Sequence, residues 1–227
     1  MGNYAVVGSG EYLEPMAPVD RELLSVVGES PRVACLPTAA GREGDPMIDD
    51  WMQRGVDHFT ALGVEARGVR VWDRESAQAT RWADEIDEVD VVYLSGGHPG
   101  HLYDTLVGTP TWSAIERVIE RGGMLIGCSA GAMVQAERFL GGVRRRTGFG
   151  LWPGVVVIPH FDEIPSVALS AARRVAGTDL TLVGVNGDTA LLRAGDSYRV
   201  IGDEVTIWSR AGRSRHGPGP LVTDLLP

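Results

Sequence analysis

Short, nearly uninterrupted apolar runs rich in β-branched residues recur along this chain, and stretches of helical length separate several of them. The runs are "YAVVGS" (4–9), "RVACLPT" (32–38), "VEARGVRVW" (64–72), "VDVVYLSGG" (89–97), "GMLIGCS" (123–129), "GVVVIPH" (154–160) and "LTLVGVNG" (180–187). Between them lie "VDRELLSVV", "DPMIDDWMQRGVDHFTALG", "TPTWSAIERVIERG", "GAMVQAERFL" and "PSVALSAARRVAG". Strands that are apolar on both faces cannot lie on an open surface, so the alternation predicts a largely parallel sheet with helices covering each side. From Thr189 to Arg210 the texture changes to short alternating segments with Gly-Asp turns, the pattern of antiparallel hairpins at a sheet edge. The tail from Ala211 reads as turn-rich and partly disordered. With 227 residues and no convincing linker, residues 1–227 are expected to form a single domain.

Composition narrows the partners. A net charge of −9 at pH 7 argues against a broad nucleic-acid or anionic-membrane surface, because phosphate needs a positive field. The two cysteines, Cys35 and Cys128, both sit in apolar runs and read as reduced thiols, which with an N-terminal stretch unlike a signal peptide suggests a cytoplasmic protein. No apolar run reaches membrane-spanning length.

Ligands of parallel sheets bind beyond the carboxyl ends of the strands. The loops there are "GSGE" (8–11), "PTAAG" (37–41), "SGGHPGH" (95–101), "GCSAG" (127–131), "PHFDE" (159–163) and "VNGD" (185–188). In "GCSAG" a strand meets a helix through a Gly-x-Ser-x-Gly frame, which can hold a serine on a sharp turn if small residues stand two positions to either side. Centred on Ser129 those positions are Gly127 and Gly131; centred on Cys128 they are Ile126 and Ala130. The frame favours Ser129 as nucleophile, with Cys128 in packing. A serine needs a base, and His160, at the end of an apolar strand, is the best placed of the five histidines. The amides of Ala130 and Gly97 are the expected oxyanion donors.

These residues resemble the aspartyl dipeptidase (peptidase E) and cyanophycinase group of serine peptidases, in the class I glutamine amidotransferase-like superfamily. The likeness runs in order through "AVVGSGE", "ACLPTAAG", "VVYLSGGHPGHLYDTL", "MLIGCSAGAMV", "GFGLWPGVVVIPHFDE" and "LVGVNGDTALL". It implies a flavodoxin-like three-layer α/β/α sandwich, a Ser129 nucleophile, a His160 base, no metal or organic cofactor, and a small peptide or amide as substrate. Two departures stand out. Gly187 occupies the place where such proteins carry a glutamate that orients the histidine, and His98 stands where the dipeptidases commonly have asparagine.

The third triad member must therefore come from elsewhere. Asp188, next to a glycine at the strand end, is the first expectation, and Asp162 the second; water or a backbone carbonyl could also serve. Glu163 reads as solvent-facing or a helix cap. His98, Asp162 and Arg144 are candidate substrate contacts, although the run Arg144 to Arg146 also fits a solvated face. The expected partner is a small peptide or amide, without nucleic acid or membrane, and a homodimer is compatible with the chain. Two rival readings remain open: a binding protein that has lost catalysis, and a cysteine amidotransferase-like enzyme using Cys128.

Overall fold

In the computed structural model, which describes residues 2–141, 144–221 and 226, the first five apolar runs form parallel strands. They are β1 (Asn3–Val7), β2 (Val33–Leu36), β3 (Ala66–Gly68), β4 (Val91–Leu94) and β5 (Met124–Cys128). Successive side chains on a strand point to opposite faces, and here both faces are apolar. Val33, Cys35, Val91, Tyr93, Met124, Ile126 and Cys128 meet α1 (Ala17–Val27) and α2 (Asp45–Ala61) through Leu23, Leu24 and Phe59. Ala34, Leu36, Val92, Leu94 and Leu125 face the other way. They are covered by α4 (Thr80–Asp87), α5 (Pro99–Leu106), α6 (Pro110–Glu120) and α7 (Ala130–Gln135), with the short α3 (Arg74–Gln78) at the margin. This is the expected three-layer α/β/α arrangement.

The second half of the chain departs from the simplest version of that expectation. A two-stranded hairpin, β6 (Arg138–Gly141) with β7 (Arg144–Thr147), begins inside the stretch expected to continue α7 as helix. The helix stops at Gln135 because Ala136 turns to extended backbone (φ −62°, ψ 166°), while Gln135, fully buried, donates its amide to the Ala5 carbonyl of β1. β8 (Val155–Ile158) and β9 (Thr181–Val185), joined through α8 (Ser166–Ala176), pair in parallel but outside the main sheet.

β10 (Ala190–Ala194) and β11 (Ser197–Ile201) form the anticipated hairpin and return to the main sheet. β12 (Val205–Ser209) and β13 (Gly212–His216) join β9 and β8, and β14 (Gly219–Leu221) closes the edge beside β11. Among the described residues the main sheet has eight strands in the order β14-β11-β10-β1-β5-β4-β2-β3, and the second has four, β13-β12-β9-β8. The tail thus supplies two strands where turns were expected; residues 222–225 and 227 lie outside the described residues. Apolar periodicity identifies a buried strand but not which sheet it joins, so the sequence pattern does not separate β8 and β9 from the strands of the main sheet. Val155, Val157, Val183, Val185, Val205 and Ile207 pack against Val6, Leu191, Val200, Ala132 and Trp152, so the two sheets share a core. Among the described residues no helix is long and apolar enough to cross a membrane.

Candidate active site

The sheet order explains which loops meet. β1, β5 and β4 are adjacent in the main sheet and end in the same direction, bringing together the segments after Val7, Cys128 and Leu94. The turn from β9 into β10 is tied to the end of β1 by Gly8 N–H to Thr189 O (3.0 Å) and Asp188 N–H to Ser9 O (3.3 Å). Parallel pairing with β9 delivers the end of β8, and hence His160, to the same place.

Ser129 sits between β5 and α7 with φ 49° and ψ −108°, a backbone conformation that costs a non-glycine residue about 1–3 kcal/mol and persists only where its surroundings enforce it. Its N–H donates to Val7 O (3.0 Å), and both glycines of the frame are obligatory. A Cβ at Gly127 would overlap the Gly131 carbonyl, and one at Gly131 would overlap the Leu94 carbonyl. The Ser129 hydroxyl reaches His160 Nε2 at 3.1 Å. His160 is itself left-handed (φ 51°, ψ 36°), turning the chain from β8 into the short 3-10 turn Phe161–Glu163.

On the far ring nitrogen the structure places a carboxylate other than the two expected. Glu163 Oε2 lies 3.6 Å from His160 Nδ1, with the glutamate side chain 64% exposed. Asp162 Oδ1 instead accepts the Gly187 N–H at 2.8 Å. Asp188, also left-handed (φ 49°), directs its carboxylate at Gly10; among the described residues it makes no hydrogen bond or ion pair with His160. All three line one open cleft of about 610 Å³ with Asp203, Ser9 and His160. A Cβ at Gly187 would lie 3.6 Å from Asp162 Oδ2 and 3.1 Å from Ser9 Oγ, so the space for a glutamate at 187 borders the Asp162 carboxylate. Glu163 is solvent-exposed, as expected; its place beside the ring comes from one turn of 3-10 helix, which puts residues three apart on the same side, and nothing in "PHFDE" marks that turn.

The expected oxyanion donors are both free. Ala130 is the first residue of α7, where an N–H has no intrahelical partner, and neither it nor the Gly97 N–H has a hydrogen-bond partner among the described residues. Gly97 has φ 135°, and a Cβ there would sit 2.5 Å from the Ala39 carbonyl oxygen, so only glycine fits. His98 N–H is engaged with Ala39 O (2.9 Å), and the exposed residue heads α5. Arg144 lies exposed on β7, and its neighbours are paired: Arg145 with Asp179 (2.8 Å) and Arg146 with Asp104 (2.6 Å), the Arg146 guanidinium also packing against Gly100. The arginine run is a solvated hairpin face, and the carboxylate-clamp expectation for Arg144 finds no support in its position. Among the described residues, no three His, Cys, Asp or Glu side chains gather in a metal-holding arrangement.

Cys128 is wholly buried on the α1/α2 face and donates its S–H to Glu11 Oε2 at 3.0 Å. Burial first, and then the Glu11 carboxylate, push its thiol well above the ordinary value. A thiol held protonated is a poor nucleophile. Cys128→Ser retains an O–H donor for Glu11, so its turnover is expected to stay within about threefold of wild type. The wild-type thiol is expected to resist iodoacetamide while folded. Steady-state kinetics and intact mass check both, and alkylation that abolishes activity would reverse the assignment. Nothing in the sequence marks Glu11, because "GSGE" reads only as a glycine-rich turn.

Comparison with known proteins identifies the family. The model for peptidase family S51 matches residues 5–201. A solved peptidase from an acI-B1 actinobacterium superposes with a TM-score of 0.85 at 33% identity, covering 96% of this chain and 95% of that one. The cyanophycinase of Trichormus variabilis (strain ATCC 29413 / PCC 7937) is 26% identical over 206 residues, 85% of this chain and 68% of the relative. An uncharacterized peptidase of Pasteurella multocida (strain Pm70) is 28% identical over 134 residues, 53% of this chain and 63% of that one. A family match running from β1 through β11 spans every loop that meets at Ser129, and the chain belongs to peptidase family S51.

Proposed function

We propose that this chain is a serine hydrolase that cleaves a small peptide or amide through an acyl-enzyme at Ser129. The single observation that supports it most is the Ser129 hydroxyl 3.1 Å from His160 Nε2, carried on a strained strand-to-helix turn of the nucleophile-elbow type. His160 takes the hydroxyl proton as Oγ attacks the scissile carbonyl carbon. The amides of Gly97 and Ala130 receive the resulting oxyanion. Collapse breaks the C–N bond, and the proton held on Nε2 passes to the leaving amine. Water, deprotonated by the same imidazole, then releases the acid and restores Ser129.

The cleft favours one kind of substrate. The carboxylates of Asp162, Glu163, Asp188 and Asp203 line it, a negative field that attracts a positively charged group such as an α-ammonium or a basic side chain. Two buried free cysteines fit a cytoplasmic site of action. A fluorophosphonate probe tests the chemistry: wild type is expected to gain one adduct, mapped by peptide mass spectrometry to Ser129. A folded protein that takes no label would establish a binding protein instead. Hydrolysis of a dipeptide and isopeptide library, with basic and acidic residues both represented, identifies the substrate, and basic or free-amine substrates are expected to lead.

A further inference from the structure

One carboxylate bridges the two loops on which that reading depends. Glu11 follows β1, and its Oε1 accepts the Gly96 N–H at 2.8 Å, while its Oε2 accepts the Cys128 S–H at 3.0 Å. Gly96 immediately precedes Gly97, and Cys128 immediately precedes Ser129. In the sheet β5 lies between β1 and β4, so the side chain reaches from the loop after β1, across the end of β5, to the loop after β4. A Cβ at Gly96 would overlap Glu11 Oε1 and would stand 3.2 Å from Ser129 Cβ. The carboxylate therefore lies beside the nucleophile without a hydrogen bond to it.

We propose that Glu11 is a positioning residue that fixes the Gly97 amide and the Ser129 turn in one geometry by holding Gly96 and Cys128 at once. The proposal rests on the serine hydrolase reading and adds to it the group that sets the spacing between oxyanion donor and nucleophile. A carboxylate suits the task because it offers acceptors only, one for each of the two donors facing it. An amide offers one acceptor and one donor, and would set its NH₂ against an N–H or S–H. Alanine offers neither. Oxyanion donors act only if they are aimed at the place where charge develops, so a loop that drifts loses rate more than binding.

The test measures fluorophosphonate labelling of the full chain, resolved into kinact and KI, beside thermal unfolding. Glu11→Ala is expected to lower kinact by on the order of 10²-fold, below the loss seen when an oxyanion donor is removed outright, with KI changed by less than about threefold. Glu11→Gln is expected to fall between Ala and wild type, at about tenfold, and it carries the test if the alanine variant does not fold. Cys128→Ala alone should slow labelling only a few-fold, on the order of three, and add nothing in the Glu11→Ala background, as expected of groups acting through one contact. A wild-type kinact in folded Glu11→Ala or Glu11→Gln overturns the proposal. So does a rise in KI alone, or a loss that follows the unfolded fraction. Failure of wild type to label Ser129 is the separate result that removes the hydrolase reading, and this proposal with it.

Discussion

Replacing Ser129 with alanine is expected to lower turnover by about 10⁴- to 10⁶-fold, the range found when a triad nucleophile is removed, and to leave the fold intact. The size follows from the division of labour. In the proposed mechanism covalent attack and proton transfer both pass through Oγ, which lies 3.1 Å from His160 Nε2, so no neighbour takes over either step. Cys128 is the nearest alternative in sequence, but it points to the opposite side of β5 and its thiol is buried and protonated. The strained backbone at 129 does not depend on the hydroxyl: it is held by the N–H to Val7 O and by the mutual closeness of Gly127 and Gly131. Far-UV circular dichroism and thermal unfolding should therefore match wild type. His160→Ala is expected to cost nearly as much, and the double variant little more, because the two residues act as a unit. Retention of more than about a tenth of wild-type turnover by Ser129→Ala would sink the assignment.

What the sequence reveals of this site divides along a physical line. Ser129, Gly97 and Ala130 are legible because each obeys a local constraint: glycines where carbonyls crowd, a serine between an apolar strand and a helix. His160 is legible because it ends a strand whose apolar run is continuous. The partition of strands between two sheets is not legible, since Val155–Ile158 and Val91–Leu94 are equally apolar and only tertiary packing distinguishes them. The contacts of Glu11 and Glu163 are not legible for a related reason. Each carboxylate meets a partner delivered by backbone geometry: the Gly96 amide 85 positions away for Glu11, and His160 across the 3-10 turn for Glu163. The same limit explains why Asp188 is the natural expectation: it stands beside Gly187, where the resemblance implies a glutamate, and only the folded backbone turns its carboxylate toward Gly10.

The identity of the acid that serves His160 yields the sharpest remaining test. A carboxylate on Nδ1 selects the tautomer that leaves Nε2 free to accept the Ser129 proton, and it stabilises the imidazolium that results. Asp162, Glu163 and Asp188 line the cleft with His160, and they are not equivalent. Asp162 already accepts the Gly187 N–H at 2.8 Å, which fixes that loop and occupies one of its oxygens. Asp188 faces Gly10. Among the described residues Glu163 alone comes within ion-pair distance of Nδ1, at 3.6 Å. That separation exceeds a good N–H···O hydrogen bond, but catalytic contacts in a site without substrate are often long and tighten when it binds. The pair is also exposed, 40% for His160 and 64% for Glu163, so water screens it and can partly replace it. Glu163→Gln is therefore expected to lower kcat by about 10²- to 10³-fold, short of the roughly 10⁴-fold recorded where the triad acid is buried. KM should be nearly unchanged, because the ground state does not use the proton. Asp188→Asn should remain within about tenfold of wild type in kcat. Asp162→Asn should act through the 187 loop, lowering stability by up to about 1 kcal/mol, because the amide oxygen still accepts the Gly187 N–H but without the charge. Measured on a substrate from the library screen, a larger kcat loss for Asp188→Asn or Asp162→Asn than for Glu163→Gln would move the triad to that residue. It would also mean that the Phe161–Glu163 turn reorganises when substrate enters the cleft.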